Sequence, residues 1–421
     1  MTAPLDLLLR GCRLPDGRVT DIGCRDGRIV AIGPLAGHPA AREIACEGRA
    51  VTPGLVDAHI HLDKALLSDR APSHEGSLAE ALRVTAEAKR GFTRDDILAR
   101  ARRVLDMAVR QGTTAMRSHA EIDPIIGLMS FEAISTLKRE YAPAIDLQLC
   151  AFAQEGILKS PGTESLLREA LRAGADLVGG VPYVEPDPRR HIDIVFDLAA
   201  EFDVDADFHA DFFDEPQHLH AGYIADQTVR RGWQGRVALG HVSEMAALPP
   251  DEQDGLARTL AEAGVAVIVL PATDLYLMGR KDVRSPRRGL APVKRLLEAG
   301  VTVAAATNNV RNAFTPFGTA GLPLMGYLVG IGAHMGAEQE IRLVLEMLTT
   351  HPARILRLHD HGLHVGARAD LAIWETDHPE GILAALAPCR LAVKGGRVSV
   401  EHAWSLAEPW RQVRSERSAA P

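Results

Sequence analysis

The 421-residue chain contains no apolar run of the roughly 18 residues that a membrane-spanning helix requires. Its N-terminus also lacks a basic region followed by an apolar stretch, the mark of a secretory leader. Both absences point to a cytoplasmic protein. Long basic runs are missing too: 47 basic and 55 acidic residues give a net charge of −8, with no electrostatic footprint for nucleic acid or an anionic membrane. The five cysteines, Cys12, Cys24, Cys46, Cys150 and Cys389, are scattered and form no CxxC pair. An odd, dispersed set argues against a disulfide framework and against a thiolate zinc site. What remains is an ordinary globular composition, 46% hydrophobic and 24% charged, which favours a small-molecule partner.

The length exceeds what one ordinary core needs, so a large unit plus a smaller one is expected. Residues 1–50 hold short β-type runs separated by glycine turns, as in Asp26 to Gly33. A similar texture returns in Ala369 to Trp374 and Arg390 to Val398. The two ends are therefore expected to pair into one small β-sandwich domain, residues 1–50 with 364–406, followed by a polar tail over 407–421. Between them, residues 51–363 alternate β and α patterns. Eight apolar runs stand out: Val51 to His59, Thr113 to Arg117, Ile145 to Phe152, Leu177 to Pro182, Val204 to His209, Val237 to His241, Val265 to Pro271 and Val301 to Thr307. Amphipathic stretches such as Glu164 to Ala173 and Leu256 to Ala263 follow, several closing at Ala-Gly or Gln-Gly. Eight such units predict an α/β fold of the (β/α)8 TIM-barrel type rather than a doubly wound sheet.

Polar residues gather where these runs end. His59 and His61 close the first, Arg117 and His119 the second, Gln154 the third, Tyr183 the fourth, His209 and Asp211 the fifth, His241 the sixth, Asn308 and Asn309 the eighth. In a TIM barrel those ends face one cavity, so residues hundreds of positions apart converge there. Two histidines two apart on a strand point to one face; with His209 they make a three-imidazole set suited to zinc with a fourth position open to water. His218 and His220 are a weaker second pair, beyond a proline. His241 is placed to hydrogen-bond a reacting water or a substrate oxygen. Gln154 carries both donor and acceptor functions, suited to a ring amide edge or to capping a loop. Arg117, Arg311 and Lys64 are candidates for a substrate carboxylate, or else structural ion pairs.

The stretch Val51 to Lys64, with its HIHLD core, resembles the first-strand metal motif of the amidohydrolase superfamily and its cytosine deaminase branch in particular. Arg117-Ser118-His119 resembles that branch's second-strand motif, and Ala151 to Leu158 its substrate-reading glutamine segment. Gly174 to Pro182 is similar to its fourth strand, and His351 to Arg354 with Val365 to Leu371 to the return from barrel to β-domain. The resemblance covers nearly the whole chain. It implies a barrel with His59, His61, His209 and the eighth-strand residue Asn308 as metal ligands. With Gln154 of the substrate-reading segment and His119 and Arg117 of the second-strand motif, the strand-end residues Tyr183, Lys64 and Arg311 are the expected surroundings of the substrate.

Two positions depart from the pattern. Where the branch has a proton-shuttling glutamate three residues after the fifth-strand histidine, this chain has Phe212; where it has an eighth-strand aspartate, this chain has Asn308. Asparagine has no carboxylate to accept a proton from water. Proton transfer then falls to His241, Asp211, Asp63 or Glu121, in that order.

The function expected is hydrolytic attack by a metal-activated water on a ring carbon of a nitrogen heterocycle, releasing ammonia or an amine or opening a cyclic amide. Zinc is the expected ion, with iron as the alternative. Sulfide leaves without the protonation an amine needs, so a desulfhydrase acting on a thiohydantoin-like ring is a second reading. The other competitors are a metal-free hydrolase and a catalytically silent heterocycle-binding relative. The assembly expected is a homo-oligomer with no nucleic-acid or membrane partner.

Overall fold

The computed structural model describes residues 3–213 and 219–402. Sixteen strands form three sheets among these residues. The first sheet comes wholly from the N-terminal segment: β1 (Leu5–Arg13), β2 (Val19–Arg25), β3 (Arg28–Gly33) and β4 (Ala40–Ala45), in the order β3-β2-β1-β4. A second four-stranded sheet joins β5 (Val51–Pro53) to β14 (Leu371–Trp374), β15 (Cys389–Lys394) and β16 (Arg397–Glu401). Leu7, Leu9, Ile22 and Ile29 of the first sheet pack with Val51, Leu371, Ile373 and Val393 of the second in one buried cluster. The two chain ends thus build a sheet-rich unit, as their hairpin texture implies. All five cysteines are free and buried.

The eight-stranded sheet runs in sequence order: β6 (Leu55–Ile60), β7 (Thr113–Glu121), β8 (Asp146–Ala153), β9 (Leu177–Gly180), β10 (Asp205–Ala210), β11 (Val237–His241), β12 (Val265–Val269) and β13 (Val303–Ala305). Every neighbouring pair is parallel. An isolated bridge between Ile60 and Asn308 joins the last strand to the first, so the sheet is a TIM barrel. Its strands are buried on both faces, which is why they read as near-continuous apolar runs.

Helices cover the outside. Arg94–Arg110 starts on Thr93, whose side chain accepts the Asp96 amide, and buries Ile97, Ala101, Val104, Leu105 and Ala108 on one stripe. The predicted helices around Glu164 and Leu256 are Thr163–Arg172 and Pro250–Glu262. No helix among the described residues is long and apolar enough to cross a membrane.

The first predicted run, Val51 to His59, is divided. Val51 and Thr52 pair with Ile373 and Ala372 of the outer sheet, and only after Gly54 does the chain enter the barrel. The outer unit therefore reaches to Pro53 rather than stopping at residue 50. Gly54 sits where a Cβ would lie 2.1 Å from Thr114 Oγ1, so the crossing requires glycine. The predicted 407–421 tail and His218 lie outside the described residues.

Candidate metal centre and cavity

His59 is the penultimate residue of β6, His61 follows two residues on, and His209 is the penultimate residue of β10. Their side chains meet inside the barrel mouth. His59 Nε2 and His209 Nε2 are 2.8 Å apart, and one nitrogen of each of the three rings falls within 4.8 Å of the others. Burial, reinforced by the neighbouring imidazoles, pushes the pKa of all three well below its usual range. They are therefore neutral, the form that ligates a cation.

Asn308 lies three residues past the end of β13, at a φ of +60°, and lines the barrel-mouth cavity. Its Nδ2 donates to Thr273 Oγ1 at 3.1 Å, while Oδ1 is buried with no hydrogen-bond partner. His59 Nδ1 and His61 Nδ1 are also buried without partners. Buried polar atoms left unsatisfied in this way cost free energy, and the amide oxygen of Asn308 is an acceptor that a cation could fill. Three neutral imidazoles and an orphan amide oxygen fit a divalent cation.

His241, the last residue of β11, lines the same cavity. Its Nδ1 lies 2.6 Å from Asp274 Oδ1, and its ring stacks on Phe212 at 3.9 Å. Asp274 Oδ2 accepts the Leu270 amide at 3.0 Å, so the carboxylate is fixed by the backbone. A carboxylate can only accept, which puts a proton on Nδ1; in the neutral ring Nε2 then keeps its lone pair.

Lys64, Gln154, Tyr183, Asn309 and Phe314 line the same cavity. Lys64 Nζ donates to Glu121 Oε1 at 2.8 Å and to Gln154 Oε1 at 2.7 Å. Behind it, Lys89 Nζ binds Glu121, Asp123 and Glu155. Burial alone would raise the Glu121 pKa, but Lys64 and Lys89 pull it down to about 2. Asp63 is pushed the other way, by burial and by Glu121, and its Oδ2 accepts the Glu121 amide. Neither carboxyl lines the cavity.

Four sequence-predicted residues serve elsewhere. Arg117 is consumed by Asp207, Gln148 and the Ile355 carbonyl, and it borders a separate cleft with Val237, Val265 and Val301, at the opposite barrel end. His119 does not line the cavity: it stacks on His59 at 3.9 Å, with Nε2 3.2 Å from Asp207 Oδ1. Asp211 accepts the amides of His220 and Ala221 at 2.7 and 3.0 Å, capping the start of the helix Ala221–Arg231. Arg311 turns towards Met107, its Nη2 3.4 Å from Sδ.

Sequence reasoning missed Asp274, Thr273 and Asp207. The first two lie just past the seventh strand, in Pro271-Ala272-Thr273-Asp274, where the signal was an acid within the first turn after a strand end.

A model described as the amidohydrolase family matches residues 42–400. The N-isopropylammelide isopropyl amidohydrolase of Pseudomonas sp. (strain ADP) is 28% identical over 417 residues, spanning 95% of this chain and 98% of that protein. The pterin deaminase of Rhizobium rhizogenes is also 28% identical, over 90% of this chain and 87% of its own length. Among solved structures, 5-methylcytosine deaminase from Klebsiella pneumoniae liganded with 5-fluorocytosine superposes with a TM-score of 0.90 at 27% identity, covering 96% of this chain and 100% of that one.

Proposed function

Because this chain belongs to the amidohydrolase family, we propose that it is a metal-dependent hydrolase removing an amino or alkylamino group from a ring carbon of a small nitrogen heterocycle. The observation that carries this reading is the convergence of His59, His61 and His209 on a buried point beside the unpartnered Oδ1 of Asn308. Relatives named as an amidohydrolase and as deaminases support it. They lend nothing to the sulfide-releasing alternative.

His59, His61, His209 and Asn308 would hold the ion, zinc in the first instance and iron as the alternative. When bound, such an ion supplies the Lewis acidity that makes water nucleophilic near neutral pH. His241 then does what the absent glutamate would do. Its Nε2 faces the cavity, and Asp274 stabilises the imidazolium formed when that nitrogen takes a proton. The same nitrogen can return the proton to the departing amine. Phe212, stacked on the ring, excludes water from that side and holds the imidazole in plane. Lys64 and Gln154, which line the cavity and touch each other, would orient the heterocycle.

The test is amine release by zinc-loaded and chelator-stripped protein on amino- and alkylamino-substituted triazines, pterins and pyrimidines. Release that depends on the metal supports the reading. A purified protein that binds no divalent ion and releases no amine from any of these rings overturns it.

A further inference from the structure

A glycine precedes each of three neighbouring strands: Gly235 before β11, Gly264 before β12 and Gly300 before β13. Small side chains follow on the first two, Ala238 and Ala266, which pack in one cluster with Ile355. A cavity of about 200 Å³ is left at these N-terminal strand ends, away from His59, His61 and His209. Val237, Ala238, Val265, Ala266 and Ile355 give it apolar walls, and Arg117, Arg236 and Arg354 line it against a single acid, Asp205. Most of that charge is paired. Arg117 takes Asp207, while Arg236 and Arg357 share Asp203 and Asp205. Arg354 is the exception. Among the described residues its guanidinium forms no ion pair, and its one hydrogen bond is a 3.4 Å contact with Thr302 Oγ1. Arg117 spends four of its five N–H groups on Asp207, Gln148 and the Ile355 carbonyl, and so has one to spare.

We propose that this cavity is a second ligand site, for a monocarboxylate with a small apolar body. The carboxylate pairs with Arg354 and the body lies on Ala238, Ala266 and Ile355. A planar guanidinium matches a carboxylate with two parallel hydrogen bonds. An apolar cavity of about 150 Å³ holds benzene, so the volume here suits one ring and its acid group. Only one positive charge is unmatched. A second negative charge on the ligand would meet apolar walls and Asp205, and its desolvation would go uncompensated. The ligand is not a substrate, because it binds at the end of the barrel opposite the three histidines. By binding the folded chain alone it stabilises the fold. The site does not depend on the hydrolase reading.

The test is calorimetric titration of the zinc-loaded full-length protein with benzoate and with benzamide, its uncharged counterpart of the same shape. Benzoate is expected to bind with a Kd of about 1 mM or tighter, and benzamide about tenfold more weakly. Arg354→Gln removes the charge from an exposed side chain and should erase that difference. Ala266→Leu fills the cavity and should weaken both ligands about tenfold. Carboxylate bound to the metal instead would survive both substitutions. The proposal is overturned if benzoate does not bind, if it binds no better than benzamide, or if both variants bind it as the wild type does. Should Ala266→Leu fail to fold, as read by circular dichroism, Arg354→Gln decides alone.

Discussion

The imidazole of His241 is tied to the carboxylate of Asp274 by a 2.6 Å contact, and Asp274 is tied in turn to the Leu270 amide. In the proposed reaction the pair would take the part of the fifth-strand glutamate in the cytosine deaminase pattern, with the acid moved to the turn after the seventh strand.

If Asp274 holds that tautomer, Asp274→Asn should lower kcat by about 10²- to 10⁴-fold, the range for losing a general acid–base group. KM and zinc content should change little. Asp274→Glu, which keeps the charge, should recover part of the rate, and the pH–rate profile of the asparagine variant should lose its acidic limb. Unchanged kcat and profile would remove His241 from proton transfer.

His59→Ala and His209→Ala each delete one of three imidazole ligands. Both variants should lose zinc occupancy and turnover while keeping wild-type circular dichroism, since the barrel core lies outside the strand-end cluster. Full metal content in either would refute the ligand assignment.

Asn308→Asp places a carboxylate where the orphan amide oxygen now lies. Zinc should bind about tenfold more tightly, roughly 1.4 kcal/mol, with native activity reduced or unchanged because the added charge weakens the ion as a Lewis acid. A competition titration with a chelator reads the first effect and steady-state kinetics the second. If neither changes, Asn308 is not beside the ion.

Acid should destabilise the metal-stripped protein. Burial holds His59, His61 and His209 neutral in the fold, below their usual range. Unfolded, each takes a proton below about pH 6.5. The unfolded chain then binds more protons than the folded one, so stability falls as pH drops through that value and keeps falling towards the depressed folded-state values. His209→Gln should flatten the decline by about 1.4 kcal/mol per pH unit. Denaturant titrations across that range would show it, and a slope identical to wild type would contradict it.

Barrel and strand ends were legible because parallel strands buried on both faces leave long apolar runs, and the polar residue closing each run marks its mouth. Depth along the barrel axis was not. Arg117 and His119 share a face of β7, yet two residues of rise put Arg117 beside a different cleft and His119 behind His59. Asp211 follows His209 by two positions, but its φ of +50° turns it out of the strand and into the cap of the next helix. Asp274 was passed over because β12 itself is wholly apolar and the acid stands one turn beyond its end. The Lys64 contact of Gln154 was hidden for a related reason: the two residues stand 90 positions apart, and no local pattern carries such a contact.

The junction at Gly54 governs how the molecule comes apart. One residue separates β5, held by β14, from β6, which carries His59. The Gly54 amide itself donates to the Asp370 carbonyl at 2.8 Å, and Trp374 Nε1 donates to Thr52 Oγ1 at 3.0 Å. Trp374 belongs to the barrel's hydrophobic cluster while its strand belongs to the outer sheet. At this crossing no slack segment separates the two units. Heating should give a single cooperative calorimetric transition, and a chain cut off after residue 363 should lose the barrel along with the sandwich.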